Sequence, residues 1–231
     1  MRKLLLAGVA GILSATGAYA APITSSTTIT NGGFTFSNFS CSPGGSVGTA
    51  AGGCSNLQVV ANGASGIEFQ GLLQALSVPS ATVPSFLDVV LSYQVTATTA
   101  FSSVALAFNG AITGAIAQAQ VVESALTAPG GALLGTTQVN TPSPLQSTLT
   151  LSTPRTSLYL VKDVSVTAFD GTPFSSASIS FIDQTISGTG GGSPGTPTPT
   201  PTPSAVPEPV SLALLGSGLV GLGLMRRAKR S

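Results

Sequence analysis

Apolar and polar residues alternate through the middle of the chain. In LDVVLSYQVTA (87–97), the apolar positions are Leu87, Val89, Leu91, Tyr93 and Val95. Because successive side chains of a strand point to opposite faces, this period of two predicts a half-buried β-strand. FSSVALAF (101–108) continues the pattern, and Asn109-Gly110 after it predicts a hairpin turn.

Further short segments show the same texture. They are 32–40, 57–61, 66–73, 132–139, 147–152, 156–169 and 176–187. AITGAIAQAQVVES (111–124) could form a helix, since Ala and Gln favour one, but a strand fits its neighbours better. Asp170-Gly171-Thr172-Pro173 predicts a turn. About ten short strands joined by Gly-, Pro- and Ser-rich links predict an all-β domain over 21–187, a β-sandwich or jelly roll.

The first twenty residues have the three parts of a secretory signal. Arg2 and Lys3 precede an apolar stretch, Leu4–Leu13, that is too short to span a bilayer comfortably. Ala18-Tyr19-Ala20 fits the small-x-small rule of signal peptidase. We therefore predict a signal peptide over 1–20, cleaved after Ala20; the alternative is an uncleaved amphipathic anchor.

Charge is scarce, because only 6% of the 231 residues are charged and none is His. Residues 21–204 contain six acidic and two basic side chains, a net charge of −4. This part has no basic patch, so the sequence predicts no nucleic-acid partner.

Two cysteines, Cys41 and Cys54, lie in the exported part with twelve residues between them. Thiols usually oxidise outside the cytosol, so we predict a disulfide, which for a loop of this size stabilises the fold by about 3 kcal/mol. Metal binding is the alternative. Two Cys without His or further Cys cannot fill a tetrahedral zinc site, and we predict no metal and no cofactor.

After Ser187 the composition changes. GTGGGSPGTPTPTPTPS contains no aliphatic or aromatic side chain. Its Gly part should be flexible, and its Thr-Pro repeat should extend as polyproline II at roughly 3.1 Å per residue. We predict a spacer over 188–205; Thr198, Thr200 and Thr202 could carry O-linked sugars, although an unmodified spacer is the simpler interpretation.

The last part of the chain combines an apolar run with a basic end. Val210–Met225 is sixteen uncharged residues, about 24 Å as a helix against a hydrocarbon core of about 30 Å. Arg226, Arg227, Lys229 and Arg230 follow directly and would hold that end in the cytoplasm. We predict a transmembrane helix with the domain outside and the tail inside.

Just before this run stands Val206-Pro207-Glu208-Pro209, whose prolines keep the backbone extended around a single acid. This motif, the apolar run and the basic end resemble a PEP-CTERM sorting signal over 206–231. The resemblance implies recognition and removal of the tail by exosortase, a multi-pass membrane enzyme, in a Gram-negative bacterium that makes exopolysaccharide. GFTFSNFS, SLYLVKDVSV and ASISFIDQTIS also resemble the ectodomain of one PEP-CTERM group. An ordinary single-pass anchor remains the alternative.

The exported part offers few catalytic residues. Without His, neither a Ser-His-Asp nor a Cys-His site can form. A carboxylate pair could still hydrolyse glycosidic bonds. The acids in strand patterns are Glu68, Asp88, Glu123, Asp163 and Asp183, and a solvated outward acid is the default for each. The sequence also lacks the Asp-rich loop that calcium requires near Asp163, Asp170 and Asp183. We therefore predict no catalytic residues and a protein that is not an enzyme.

Lys162 is in phase with the apolar residues Leu160 and Val164. We expect it to snorkel at a sheet edge, where a Lys discourages edge-to-edge pairing; a ligand contact is the alternative.

Three functional hypotheses follow. The first is an exported structural or adhesive protein of the cell surface or biofilm matrix, anchored in the inner membrane before processing. The second is a carbohydrate-binding module for exopolysaccharide, with Tyr93 or Tyr159 as a stacking surface. The third is a glycan hydrolase.

Overall fold

The computed structural model of this chain describes residues 20–77, 83–114, 116–169 and 174–188. Eleven strands are present among them. They are β1 (Ala21–Pro22), β2 (Ile29–Asn31), β3 (Phe34–Val47), β4 (Thr49–Ala51), β5 (Gln58–Asn62), β6 (Gly66–Ser77), β7 (Ser85–Thr113), β8 (Ala117–Leu126), β9 (Leu133–Asn140), β10 (Gln146–Ala168) and β11 (Ser175–Gly188). A 3-10 turn spans Cys54–Asn56. The predicted signal peptide (apart from Ala20), the spacer beyond Gly188, and the tail lie outside the described residues.

The strands form one large antiparallel sheet in the order β1-β5-β6-β11-β7-β10-β8-β9. β3 pairs with β2 and β7, and β4 pairs with β6. The all-β character predicted for the domain is confirmed within the described residues. The short strands β1, β2 and β4 were not predicted. For 111–124 the sequence favoured a strand over a helix, and the structure has the strand β8 over Ala117–Leu126. None of the described residues belongs to an apolar helix of membrane-spanning length.

The long strands β7 and β10 each pair with different strands along their length. Residues 146–150 of β10 pair with 103–107 of β7. Residues 85–97 of β7 pair with β3 and with 157–168 of β10, whereas 101–113 pair with β11. The β10–β7 register shifts between Thr150 and Ser157. We call the part containing β3, β8 and β9 the first half, and the part containing β5, β6 and β11 the second half. Their inner faces meet, since Tyr93 of the first half donates its hydroxyl to Gln184 of β11 at 3.0 Å.

The core lies between these inner faces. The five apolar positions predicted to share one face of 87–97 are all buried. Aromatic side chains from both halves meet at Tyr93, whose ring stacks on Phe39 at 5.4 Å between centroids and approaches Phe69 at 5.5 Å. Burial of each such side chain stabilises the fold by about 1.5–3 kcal/mol. The face of each strand that carries the apolar residues therefore becomes the inner face of the sheet.

The hairpin predicted at Asn109-Gly110 is wrong. Both residues lie inside β7, where Asn109 pairs with Phe181 and Gly110 with Ile179 of β11. The glycine serves packing, because a Cβ at Gly110 would lie 2.3 Å from the ring of Phe108. The segments 147–152 and 156–169, predicted as separate strands, likewise form the single strand β10.

A β-bulge in β3 keeps the aromatic residues of that strand on the inner face. Ser37 pairs with Gln94 and Ser40 with Ser92, so β3 contains one more residue than β7 between these pairs. Asn38 takes a left-handed conformation there, with φ of 55°. As a result Phe36 and Phe39, three residues apart, are both buried.

Candidate functional site

The sorting residues predicted from the sequence lie outside the described residues. They are Val206, Pro207, Glu208 and Pro209 of the motif, and Arg226, Arg227, Lys229 and Arg230 of the basic end. The geometry that the structure gives therefore belongs to the β-domain alone.

The two cysteines form a disulfide, as expected from the sequence. Cys41 lies in β3 and Cys54 begins the 3-10 turn, with 5.6 Å between their Cα atoms. The bond ties β3 of the first half to the chain just before β5 of the second half. It therefore links the two halves covalently near one end of the core.

Four polar side chains meet inside the core, and we call them the buried polar cluster: Tyr93, Glu123, Lys162 and Gln184. Each is fully buried, with 0% of its surface exposed. Tyr93 belongs to β7, Glu123 to β8, Lys162 to β10 and Gln184 to β11. Lys162 and Glu123 are direct partners across the β10–β8 ladder, whereas Gln184 reaches them from the second half.

Hydrogen bonds connect the cluster. Lys162 Nζ donates to Glu123 Oε2 and to Gln184 Oε1. Tyr93 donates its hydroxyl to the same Gln184 oxygen at 3.0 Å, and Gln184 Nε2 donates to the carbonyl of Ala105 at 2.8 Å. Glu123 Oε1 is buried and has no hydrogen-bond partner among the described residues. The carboxamide is thus fixed in its plane, with two donors on its oxygen.

Burial governs the ionisation of the cluster. It lowers the pKa of Lys162, since removal from water disfavours an ammonium, while the charge of Glu123 and its hydrogen bond oppose the shift. Burial also raises the pKa of Tyr93, and the nearby Glu123 adds to this rise. Lys162 Nζ lies 5.8 Å from the centre of the Tyr93 ring. The cluster therefore holds an amine of reduced basicity and a neutral phenol beside the carboxyl group of Glu123.

Three expectations about these residues are wrong. Lys162 does not snorkel at an edge, because β10 lies between β7 and β8 and its side chain points into the core. Glu123 is not a solvated outward acid, since it follows the inward phase of Val121 and Ala125. Tyr93 cannot be a stacking surface for sugars, because none of it is exposed. Tyr159 is half-buried on the outer face and donates to Ser92 Oγ at 2.7 Å.

Gln184 was missed in the sequence, although a signal for it exists. It stands between Ile182 and Ile186, which are both buried, at the inward phase of β11. A polar residue between two inward apolar neighbours indicates a buried polar partner.

Outside the core, two acids face each other on the second half. Asp183 of β11 and Glu68 of β6 are direct cross-strand partners. Asn62 donates to Asp183 Oδ1 at 2.6 Å, and Gln70 donates to Glu68 Oε1 at 2.6 Å. Burial raises the pKa of Asp183 from its ordinary 3.8 to about 7, helped by a hydrogen bond with Glu68 and by that residue's charge.

A second acid pair lies on the outer face of the first half. Asp88 of β7 is within hydrogen-bonding reach of the exposed Asp163 of β10. Burial, then the hydrogen bond and charge of Asp163, raise the pKa of Asp88 to about 6. The five candidate acids are thus divided among three places. Within the described residues no three metal-ligating side chains come together, and Asp170 of the calcium hypothesis lies outside them.

An open depression lies where β8 begins and where β9 and β10 end. Ile116, Ala117, Gln118, Thr141 and Phe169 line a volume of about 290 Å³. Ile116 and Phe169 are 51% and 45% exposed. An aromatic ring, an amide and an apolar wall therefore face solvent together.

Comparison with known families confirms the sorting tail. Residues 205–229 match the PEP-CTERM protein-sorting motif. No curated protein matches the chain.

Two solved structures show distant likeness to the chain. One is the Glycosylation Associate Protein (Gap123) complex from Streptococcus agalactiae, with 16% identity and a TM-score of 0.30, covering 56% of this chain. The match spans about a fifth of that protein's length (22%). The other is TmCBM61 in complex with beta-1,4-galactotriose, with 12% identity and a TM-score of 0.30, covering 63% of this chain and 86% of that one. Both are too distant to assign a ligand to this chain.

Proposed function

We propose that this chain, which carries a PEP-CTERM sorting motif at 205–229, is a structural or adhesive protein of the cell surface or extracellular matrix of a Gram-negative bacterium. The motif is the observation that carries the proposal, because it implies an exported protein sorted through exosortase. The protein has no catalytic role in this proposal.

The order of segments along the chain supports export followed by sorting at the membrane. A signal peptide (1–20) delivers a β-sandwich ectodomain (21–187) across the inner membrane, and a Gly/Thr-Pro linker (188–205) separates it from the tail. The helix at 210–225 and the basic end hold the precursor in the membrane until exosortase removes the tail. A disulfide between Cys41 and Cys54 suits an oxidising compartment.

The acids of the β-domain support a non-catalytic role. A glycosidase needs two carboxyl groups separated by roughly 5–9.5 Å on either side of the bond to be cut. Asp183 instead lies against Glu68, and Asp88 against Asp163, each pair within hydrogen-bonding reach on an outer sheet face. Glu123 is shut inside the core. A glycan hydrolase is therefore the weakest of the three hypotheses.

The test of sorting is Glu208→Ala in the native host, with Ser204→Ala as the matched control outside the motif. Cell fractionation and intact-mass measurement should show the Glu208→Ala protein accumulating uncleaved in the membrane. The Ser204→Ala protein should be processed like the wild type. Unchanged mass and location of the Glu208→Ala protein would refute recognition by exosortase.

Glycan binding is the second candidate, favoured by the depression around Phe169. A half-exposed aromatic ring can stack on a sugar face, while the Gln118 amide can bond its hydroxyl groups. This ligand would be a neutral stretch of exopolysaccharide.

A glycan array with the exported protein tests this candidate. Saturable binding that falls at least about tenfold in Phe169→Ala would support it. Leu133→Ala, which removes a 59% exposed apolar side chain elsewhere, should leave binding unchanged. Absence of any saturable binding would leave the structural role alone.

A further inference from the structure

The buried polar cluster brings together the reactants of an amide exchange. Lys162 supplies an amine and Gln184 a carboxamide, with Nζ in contact with the carboxamide oxygen. Glu123 contacts the same Nζ, and all three side chains have no exposed surface. An ordinary buried ion pair needs two partners only. Here the third partner is an acyl group whose carbon lies one bond from the atom that the amine contacts.

We infer that Lys162 and Gln184 form an intramolecular amide bond, closed after folding by the groups of the buried polar cluster. The bond joins Nζ of Lys162 to Cδ of Gln184 and releases ammonia. It ties β10 to β11, two strands that do not pair with each other in the sheet. This inference does not rest on the proposed function.

Each remaining group has a place in the reaction. Glu123 takes a proton from the Lys162 ammonium, which frees the amine lone pair for attack. As the Nζ–Cδ bond forms, the carbonyl electrons move to Oε1, which receives the hydrogen bond from the Tyr93 hydroxyl. Glu123 then passes its proton to Nε2 and takes the second proton from Nζ. The Cδ–Nε2 bond breaks, and ammonia leaves.

Reactants and products contain the same number of protons, and the products leave no charged group in the core. The reactants are an ammonium, a carboxylate and a carboxamide. The products are a secondary amide, a protonated Glu123 and ammonia, so no oxidant or other co-reactant is needed. Buried charges are costly to keep away from water, which favours the neutral products. The lowered pKa of Lys162, caused by burial, favours the amine form that attacks.

The orientation of the carboxamide supports this assignment. Its Nε2 donates to the carbonyl of Ala105 at 2.8 Å, which fixes the amide plane while the Tyr93 hydroxyl and the lysine converge on the oxygen. Oε1 of Glu123 is buried, has no hydrogen-bond partner within the described part of the chain, and can accept the proton that moves during the exchange.

Peptide mapping of the full exported protein tests the bond. A protease that cuts before aspartates separates Lys162 from Gln184, because Asp163, Asp170 and Asp183 lie between them. The inferred bond joins the peptide 88–162 to the peptide that begins at Asp183, with the summed mass reduced by one ammonia. An amide between Lys162 and Glu123 would instead stay within 88–162 and reduce its mass by one water.

Three single variants distinguish the roles of the residues in the buried polar cluster. Lys162→Met should abolish the joined peptide. Glu123→Gln keeps both reactants but removes the proton acceptor, and should slow joining by about a hundredfold or more. Tyr93→Phe should slow it by about tenfold or more, as the loss of one donor to the oxyanion. Circular dichroism verifies that each variant is folded.

The wild-type protein alone decides the inference if a variant does not fold. A joined peptide short of one ammonia establishes the bond. Recovery of the two peptides unjoined and at full mass, or loss of water within 88–162, overturns it. Joining at the wild-type rate in folded Glu123→Gln would overturn the sequence of proton transfers.

Discussion

Lys162 and Glu123 occupy directly opposed positions on β10 and β8, and both side chains point away from water into the core. The pair forms a salt bridge in a place where neither charge could be hydrated alone. Each residue therefore depends on the other for its place in the core.

In a Gln184→Leu background, where the Lys162–Gln184 amide cannot form and the ion pair persists, removal of one partner should cost far more than removal of both. Lys162→Met leaves Glu123 buried and unpaired, and should lower the free energy of unfolding by about 3–5 kcal/mol. Lys162→Met combined with Glu123→Leu should recover most of this loss. Urea denaturation of the single and double variants measures the difference. Additive losses in the double variant would contradict the coupling.

The disulfide should be complete and stabilising in the exported protein. Thiol reagents should label neither Cys41 nor Cys54 without reductant. Cys41→Ser with Cys54→Ser should lower the free energy of unfolding by about 3 kcal/mol, because the unfolded chain regains the freedom of that loop. Ser55→Ala, next to the second cysteine, should change it little. Rapid labelling of both thiols in the native protein would refute the prediction.

Asp183 should make the fold less stable as the pH rises. Its pKa is raised to about 7 in the folded protein from an ordinary 3.8, so the folded state holds a proton that the unfolded state has released. The stability that this proton provides is fully present below about pH 4 and is lost as the pH rises through about 7.

Asp183→Asn removes that titration. Thermal melts should therefore depend less on pH between 4 and 8, and the variant should gain up to about 1 kcal/mol at pH 8, where an amide can donate to Glu68. Thr185→Ala, exposed on the same strand, should keep the wild-type slope. A slope unchanged in Asp183→Asn would show that other groups cause it.

The bulge in β3 should tolerate glycine but not a β-branched residue at position 38. Asn38 has φ of 55° and donates to Gln94 Oε1 at 2.9 Å. Asn38→Val should lower the free energy of unfolding by about 1–2 kcal/mol, since a branched side chain is strained there. Asn38→Gly should come close to the wild type in the same urea titration. Equal losses in both variants would point to the lost Gln94 contact instead.

The strands could be predicted because alternation dictates burial. The bulge in β3 also has a signal in the sequence. Phe36 and Phe39 are three residues apart, whereas inward side chains of a regular strand are two apart. The hairpin at Asn109-Gly110 could not be judged from local sequence, because both residues pair with β11, which lies about 70 residues further along the chain. Turn chemistry and packing both select glycine, and the sequence does not tell them apart.

The buried polar cluster was only partly predictable. The alternation of apolar and polar residues around Lys162 places it on the inner face. Whether its strand lies at an edge depends on the order of strands in the sheet, which this alternation does not reveal. Glu123 also follows an inward phase, beside Val121. Two opposite charges at inward positions of separate strands could have suggested a pair. That Gln184 completes the cluster follows only from the fold of the sheet.

The placement of β11 determines how the domain carries load. This last strand is hydrogen-bonded along both sides, to β6 and to β7, and the spacer leaves from its end at Gly188. A pull on Gly188 along the axis of β11 would load the hydrogen bonds of both ladders together, so both would have to slide at the same time before any one bond is released. Force applied at this end of β11 would therefore be resisted in shear by both neighbouring strands.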